Sequence, residues 1–367
     1  MGELGVKPQT LYAYVSRGLI AAKPGTHDPR ASLYSAADIA ALVARRRSGR
    51  GRSDIARAAI SWGEPVMETS ITTVRDGKLI YRGKDAVRLA ADATLEETAA
   101  LLWQSSALAP ARASQSSPAG TCGKAGALTY LAARAASDPP SFGRSPASLA
   151  LEGGDLLAGF GAAITGRGSR GFFHQRLGRY WQLAPGGTDL VRRALVLVAD
   201  HELNPSTFAA RVAASTGAPL AACALAGCAA LTGPLHGEAS ARALAYLRHA
   251  LAADPDTALA SLAARGERIP ATGHALYPAG DPRAAALLRW MKPAPELRRA
   301  IRAAEDASGE AANIDLLLAA LMVQLNLPDD AAFLIFASGR MAGWIAHAIE
   351  QRASGRAIRP RANYTGL

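Results

Sequence analysis

The chain holds 367 residues, of which 49% are hydrophobic and 19% charged. That composition excludes a disordered or collagen-like polymer, despite Gly 35 and Pro 21, and leaves a globular protein of about two domains. The formal net charge of +11 raises nucleic acid as a partner, yet Arg greatly outnumbers Lys, and planar guanidinium groups suit small carboxylates and phosphates equally well. Alanine is the commonest residue and aromatics make up 6%, so the expectation is a mainly helical protein. No segment approaches the roughly 18 uncharged apolar residues of a membrane span. The first residues lack the basic-then-apolar pattern of a secretory signal, and the expected compartment is the cytoplasm. Cys122, Cys223 and Cys228 form no even disulfide set and lack C-x-x-C spacing, so they are expected as small core residues.

In chain order, the first predicted element is a short helix over Lys7 to Ile20, with Leu11, Tyr14, Val15 and Leu19 at helical spacing. After a Pro/Gly/His/Asp loop, a capped second helix is predicted over Leu33 to Val43, running into Arg45-Arg46-Arg47. Residues 1 to 57 carry ten Lys and Arg against four Asp and Glu, more than half of the whole excess. The order Leu4-Gly5-Val6, Gln9-Thr10-Leu11, Gly18-Leu19-Ile20, Leu33-Tyr34 and Asp38-Ile39 resembles the winged helix-turn-helix of MerR-type DNA-binding proteins. Such modules begin with a helix upstream of the Leu-Gly-Val turn, where this sequence starts. DNA binding and a dimerisation appendage with a solvated basic tail both account for the segment.

Ile71 to Val74 and Lys78 to Tyr81, joined by Asp76-Gly77, predict a β-hairpin whose turn uses the positive φ angles those two residues tolerate. Thr94 to Glu97 opens a capped helix, and helical patterns dominate afterwards. Ser105 to Gly123 and Ser137 to Ser148 read as connections. Gly166-Arg167-Gly168-Ser169-Arg170-Gly171 fits the dinucleotide pattern G-x-G-x-x-G. It follows a helical run instead of a strand, so it reads as accidental.

Polar punctuation of the C-terminal half falls in a few segments. Asp200-His201-Glu202 precedes a helix capped by Asn204 or Ser206; Gly233-Pro234 breaks the chain before His236; Gly273-His274 precedes Asp281-Pro282-Arg283, with Asp281 as cap and Pro282 at the first helical position. Asn313-Ile314-Asp315 heads an apolar run, and Arg340, Gly343 and His347 share one helix face. An imidazole at a helix start, such as His236, is kept neutral by the helix dipole. Each residue alone has an ordinary structural explanation as a satisfied polar group or solvated stripe. As a metal site the set is poor, because His201, His236 and His274 are far apart in sequence with no local pair.

Taken together, these segments resemble the citrate synthases over roughly residues 65 to 367, in wording and in order: Ala199 to Phe208, Gly233 to Gly237, Gly273-His274 with Asp281-Pro282-Arg283, Asn313-Ile314-Asp315 and Arg340 to Gln351. The resemblance implies a large helical domain (56–235 and 321–367) with an inserted small helical domain (236–320), beside the appendage at 1–55. It implies condensation of acetyl-CoA with oxaloacetate, the step that feeds the tricarboxylic acid cycle. By the family pattern Asp315 is the base for the thioester methyl, His236 the donor to the forming enolate, and His274 the group polarising the ketone. His201, Arg283, Arg340 and Arg359 would bind oxaloacetate, with Arg359 serving the neighbouring subunit of a homodimer. No metal or redox cofactor is implied. Two positions depart from the pattern: Thr272 stands where an aromatic usually precedes Gly273, and Leu316-Leu317-Leu318-Ala319 replaces an aromatic pair and Ser-Gly. The alternatives are a 2-methylcitrate synthase using propionyl-CoA, and a DNA-binding regulator whose body senses an acyl-CoA or oxo acid.

Overall fold

A computed structural model describes residues 15, 22–24, 32–35, 38–39, 67–106, 108, 121–166, 170–237, 239–362, 364 and 366. Two compact units follow, Met1–Glu68 and Thr69–Leu367. In the first, β1 (Ala22–Pro24) pairs antiparallel with β2 (Ser32–Tyr34). Leu33 and Tyr34, expected to open the second helix, are therefore strand residues. The helical turn at Asp38 and Ile39 starts later, from Ser35, whose hydroxyl accepts from Asp38 N–H at 3.2 Å. Val15 is helical; the rest of the first predicted helix and the Arg45–Arg47 run lie outside the described residues.

The second unit is mainly helical, as composition suggested. Its only sheet among the described residues is the predicted hairpin, β3 (Thr72–Arg75) and β4 (Lys78–Tyr81), extended by a two-residue β5 (Lys84–Asp85). Asp76 and Gly77 take φ of 51° and 69°, the mirror-image turn that suits strand twist. Fourteen helices follow among the described residues: α1 (Ala86–Asp92), α2 (Leu95–Trp103), α3 (Gly123–Ser137), α4 (Pro146–Thr165), α5 (Phe173–Tyr180), α6 (Pro185–Leu197), α7 (Pro205–Ser215), α8 (Leu220–Leu231), α9 (Ala239–Ala252), α10 (Pro255–Ala264), α11 (Pro282–Met291), α12 (Pro295–Ser308), α13 (Ile314–Leu325) and α14 (Ala331–Ser354). Thr94 and Glu97 close the capping box that starts α2. Gly166, first of the G-x-G-x-x-G match, is the left-handed C-cap of α4, at φ 69°.

The core is built around α14, which packs against α2, α4, α6, α7 and α8. α4 and α14 have the length and composition of membrane spans, yet α14 is wholly and α4 mostly buried inside the protein. Charges interrupt both, at Glu152, Asp155 and Arg340. Two glycines let α14 approach the end of α6: a Cβ at Gly339 would meet Leu195 O at 2.5 Å, and one at Gly343 would meet Ala199 O at 2.6 Å and fall on Asp200 Oδ1. The helices α9 to α13 pack mainly on one another, with α9 and α13 also touching α14. Cys223 and Cys228 are buried as expected, whereas Cys122 is exposed at the N-cap of α3.

Candidate active site

The site begins where α6 ends. Tyr81, at the end of the hairpin, places its phenol among the carbonyls of Val196, Leu197 and Asp200 at 3.2, 3.1 and 3.0 Å, anchoring the segment that carries Asp200 and His201. Asn204 caps α7 by accepting from the Ser206 and Thr207 N–H groups, each at 3.2 Å. Its amide donates to the His201 carbonyl at 3.1 Å, so the cap also fixes the histidine's backbone. Asp200 and His201 are both buried.

His236 lies in a turn after Gly233-Pro234, its N–H bonded to the Gly233 carbonyl at 2.9 Å, and α9 begins only at Ala239. Its Nε2 meets Ser206 Oγ at 2.9 Å. That hydroxyl lies 2.6 Å from Asn204 Oδ1 and accepts from Trp344 Nε1 at 3.2 Å. Burial, and then the nearby Arg340 cation, push the imidazole down to about 4, so it is neutral at physiological pH. The neutrality expected from a helix dipole thus comes from desolvation and a neighbouring charge.

His274 and Asp315 are brought together by pairing of two distant loops. Thr272 bridges Ala312, Gly273 N–H donates to the Ala311 carbonyl at 2.8 Å, and Asn313 N–H donates to the Ala271 carbonyl at 3.0 Å. Asn313 caps α13 by accepting from Asp315 N–H at 3.0 Å, and its amide donates to the Gly273 carbonyl at 3.0 Å. Asp281 completes the junction. It caps α11 through Arg283 N–H at 3.0 Å, accepts from Ile314 N–H at 3.0 Å, and grips the Arg283 guanidinium through Nε at 2.9 Å and Nη2 at 2.8 Å. Both partners are buried. Burial works against Arg283's charge, and the Asp281 carboxylate overcomes it, so its pKa is raised.

His274 Nδ1 accepts from Leu276 N–H at 3.1 Å, which places the neutral ring's hydrogen on Nε2. Burial, then the Arg283 cation, lower its pKa. The His201 ring stands edge-on to it, with centroids 5.0 Å apart. His201 sits well below its usual pKa, through burial and then the cations of Arg283 and Arg340. Asp315 is partly exposed at the head of α13, and burial of its carboxyl raises its pKa to about 6 against the attraction of Arg283 and a 3.3 Å hydrogen bond from Ser240.

Arg340, on α14, is buried, stacked 4.8 Å over the Phe336 ring, and bonded through Nε to the Val198 carbonyl at 3.0 Å. Its Nη1 is buried without a hydrogen-bond partner among the described residues. Burial lowers its pKa to about 10, which keeps it charged at neutral pH. On the same face His347 contacts Asp200 at 3.2 Å and Arg211 at 3.1 Å, and Arg211 continues to Glu350 at 2.9 Å. Six of the seven residues expected from the sequence thus share one electrostatic neighbourhood: His201, His236, His274, Arg283, Asp315 and Arg340. Arg359 is exposed in the extended stretch after α14, and no hydrogen bond ties it to this group among the described residues. The capping signals had located Asn204 and Asp281. Ser206, Tyr277, Phe336 and Trp344 join the site only through tertiary packing.

The sequence model described as "Citrate synthase, C-terminal domain" matches residues 60–119 and 165–361. The chain belongs to the citrate synthase family. Among curated relatives, it is 37% identical over 188 residues to a citrate synthase of Haloferax volcanii, covering 47% of this chain and 49% of that protein. It is 35% identical over 191 residues to a 2-methylcitrate synthase of Shewanella oneidensis, covering 49% and 51%. The chain thus spans about half the length of the curated relatives it matches. Among solved structures, a citrate synthase of Thermoplasma acidophilum, in ternary complex with carboxymethyl coenzyme A and oxaloacetate, aligns with TM-score 0.66 at 22% identity over 83% of this chain and 94% of that one. One from Thermotoga maritima gives 0.63 at 23% identity over the same shares. At those identities they establish the fold of the family.

Proposed function

We propose that the protein condenses acetyl-CoA with oxaloacetate and hydrolyses the resulting thioester, as a citrate synthase. The observation that carries this reading is that Asp315, whose carboxyl burial raises to about 6, answers to the same Arg283 and Arg340 cations that help keep the imidazoles of His201, His236 and His274 neutral. Removing a proton from a thioester methyl needs a base of raised pKa and a donor for the charge that develops on the thioester oxygen. Asp315 is the base in this reading. His236 is the donor in this reading, which requires Ser206, whose hydroxyl donates to Asn204 Oδ1 at 2.6 Å, to turn its proton to Nε2 so that the ring's own hydrogen rests on Nδ1. His274 presents Nε2–H to the ketone of the oxo acid, because the Leu276 N–H occupies Nδ1.

The oxo acid's carboxylates would meet Nη1 of Arg340, which has no partner among the described residues, together with Arg283 and His201. Arg359 would reach the same site of a second copy in a homodimer. Movement of a small domain, residues 236–320, against the remainder would exclude water during carbon–carbon bond formation. The chemistry attributed to these residues needs no metal or redox cofactor.

Propionyl-CoA is the competing acyl donor, because relatives of near-equal identity carry the names citrate synthase and 2-methylcitrate synthase. CoA release with a thiol reagent, on protein given oxaloacetate with each thioester and an Asp315→Ala control, tests the reading. Turnover that vanishes in the control is expected, and the ratio of kcat/KM for the two thioesters chooses the donor. Folded protein that releases CoA from neither would refute the enzyme reading and turn attention to ligand-dependent DNA binding by the N-terminal unit.

A further inference from the structure

We propose that Tyr277 is a positioning residue that fixes which nitrogen of His201 carries its hydrogen, and thereby makes His201 a donor to the carboxylate of the oxo acid. The proposal rests on the reading of His201 and His274 as the oxo acid half of the site. Tyr277 is buried at 2% exposure and touches three site residues at once. Its ring centroid is 5.6 Å from His201 and 5.0 Å from His274, and the Arg283 guanidinium carbon lies 5.5 Å from it. Its backbone N–H closes a turn onto the His274 carbonyl at 2.8 Å. One side chain therefore joins the helix α11 arginine, the loop histidine and the histidine that follows α6.

The hydroxyl decides the chemistry. Tyr277 Oη lies 2.9 Å from His201 Nε2, the one hydrogen bond either atom makes among the described residues. Burial raises the phenol's pKa, so it keeps its proton. His201 is neutral and so carries a single N–H. If that hydrogen were on Nε2, the phenol proton would have no acceptor in a buried setting, and Nδ1 would turn a lone pair toward an anion. With Tyr277 donating to Nε2, the phenol proton has its acceptor and Nδ1–H is left to donate. The ring contacts alone would serve packing; the hydroxyl is what a structural role does not require.

Tyr277→Phe keeps the ring and removes the hydroxyl, so it tests this point on the full chain. Nitrogen-15 NMR of labelled histidine, with His201→Gln to assign the signal, reads the tautomer directly. The expected result is an Nδ1–H signature for His201 in the wild type, which shifts to mixed or Nε2–H character in Tyr277→Phe. In parallel, the Kd for oxaloacetate by calorimetry and its KM are expected to rise about tenfold, while kcat changes less than about threefold, as for loss of one hydrogen bond. An Nε2–H signature in the wild type, or a variant with unchanged tautomer and unchanged Kd, overturns the proposal. The NMR result stands whether or not the protein turns over acyl-CoA, so failure of the enzyme reading is distinguishable from failure of this one.

Discussion

Replacing Asp315 by Asn should stabilise the fold at neutral pH while abolishing turnover. The carboxyl titrates at about 6 in the folded protein against 3.8 for the ordinary group, and burial is the main cause. Above 3.8 the unfolded chain releases this proton while the folded protein holds it to about 6. The unfolded state is therefore favoured progressively as pH rises through that window. A shift of this size corresponds to about 3 kcal/mol of destabilisation at pH 7, and to roughly half a kcal/mol at pH 4. Asn cannot ionise, and its amide oxygen can still accept from Ser240. Urea unfolding of the wild type and Asp315→Asn from pH 4 to pH 8 should show a stability gap in favour of the variant. The gap should open between pH 4 and pH 6 and level off at ~2–3 kcal/mol. Catalysis should fall by about a thousandfold or more, since the proposed base is removed. A gap independent of pH, or a variant less stable at pH 7, would mean that Asp315 is not held in a desolvated setting, and the assignment of the base would lose its physical support.

Two further expectations concern the backbone around the site. Gly343→Ala would place a methyl group 2.6 Å from the Ala199 carbonyl and onto Asp200, an overpacking worth ~1–3 kcal/mol or more. Calorimetry should show Tm lowered by about 5 °C; an unchanged Tm would show that α14 does not need its close approach to the end of α6. Ala271, in the loop that delivers His274, holds φ of 58°, a conformation that strains any residue with a Cβ. Ala271→Gly should therefore stabilise by about 1 kcal/mol in urea unfolding, and a destabilised variant would count against strain at this position.

Much of the site was legible because local signals sit beside the chemistry. Asp76-Gly77 specified its hairpin, Asn204 and Asp281-Pro282 their helix starts, and Asn313 the entry to α13, each through interactions spanning two to four residues. What escaped the sequence depends on partners brought together by packing. Asp200 meets His347 across 147 positions, and Ser206 meets Trp344 across 138. No periodicity encodes such pairs. Tyr277 stood in plain view beside His274, but an aromatic in an apolar loop carries no mark distinguishing packing from positioning. Leu33 and Tyr34 fitted a helical stripe as well as a strand, and pairing with Ala22 to Pro24 decided the matter. The cysteine at 122 shows the converse limit, since composition says nothing of which face of a helix start meets solvent.

Arg340 and the glycines that seat it lie on α14, around which α2, α4, α6, α7 and α8 assemble. About 260 residues separate the first strand of this unit, beginning at Thr72, from the start of α14 at Ala331. At a synthesis rate of 5–20 residues per second, the five helices that pack on α14 wait from roughly 5 s, at the shortest for α8, to about 45 s, at the longest for α2, for the element that buries their inner faces. During translation those faces are exposed to whatever surrounds the ribosome. The candidate site is therefore completed only after α14, which carries Arg340, has emerged.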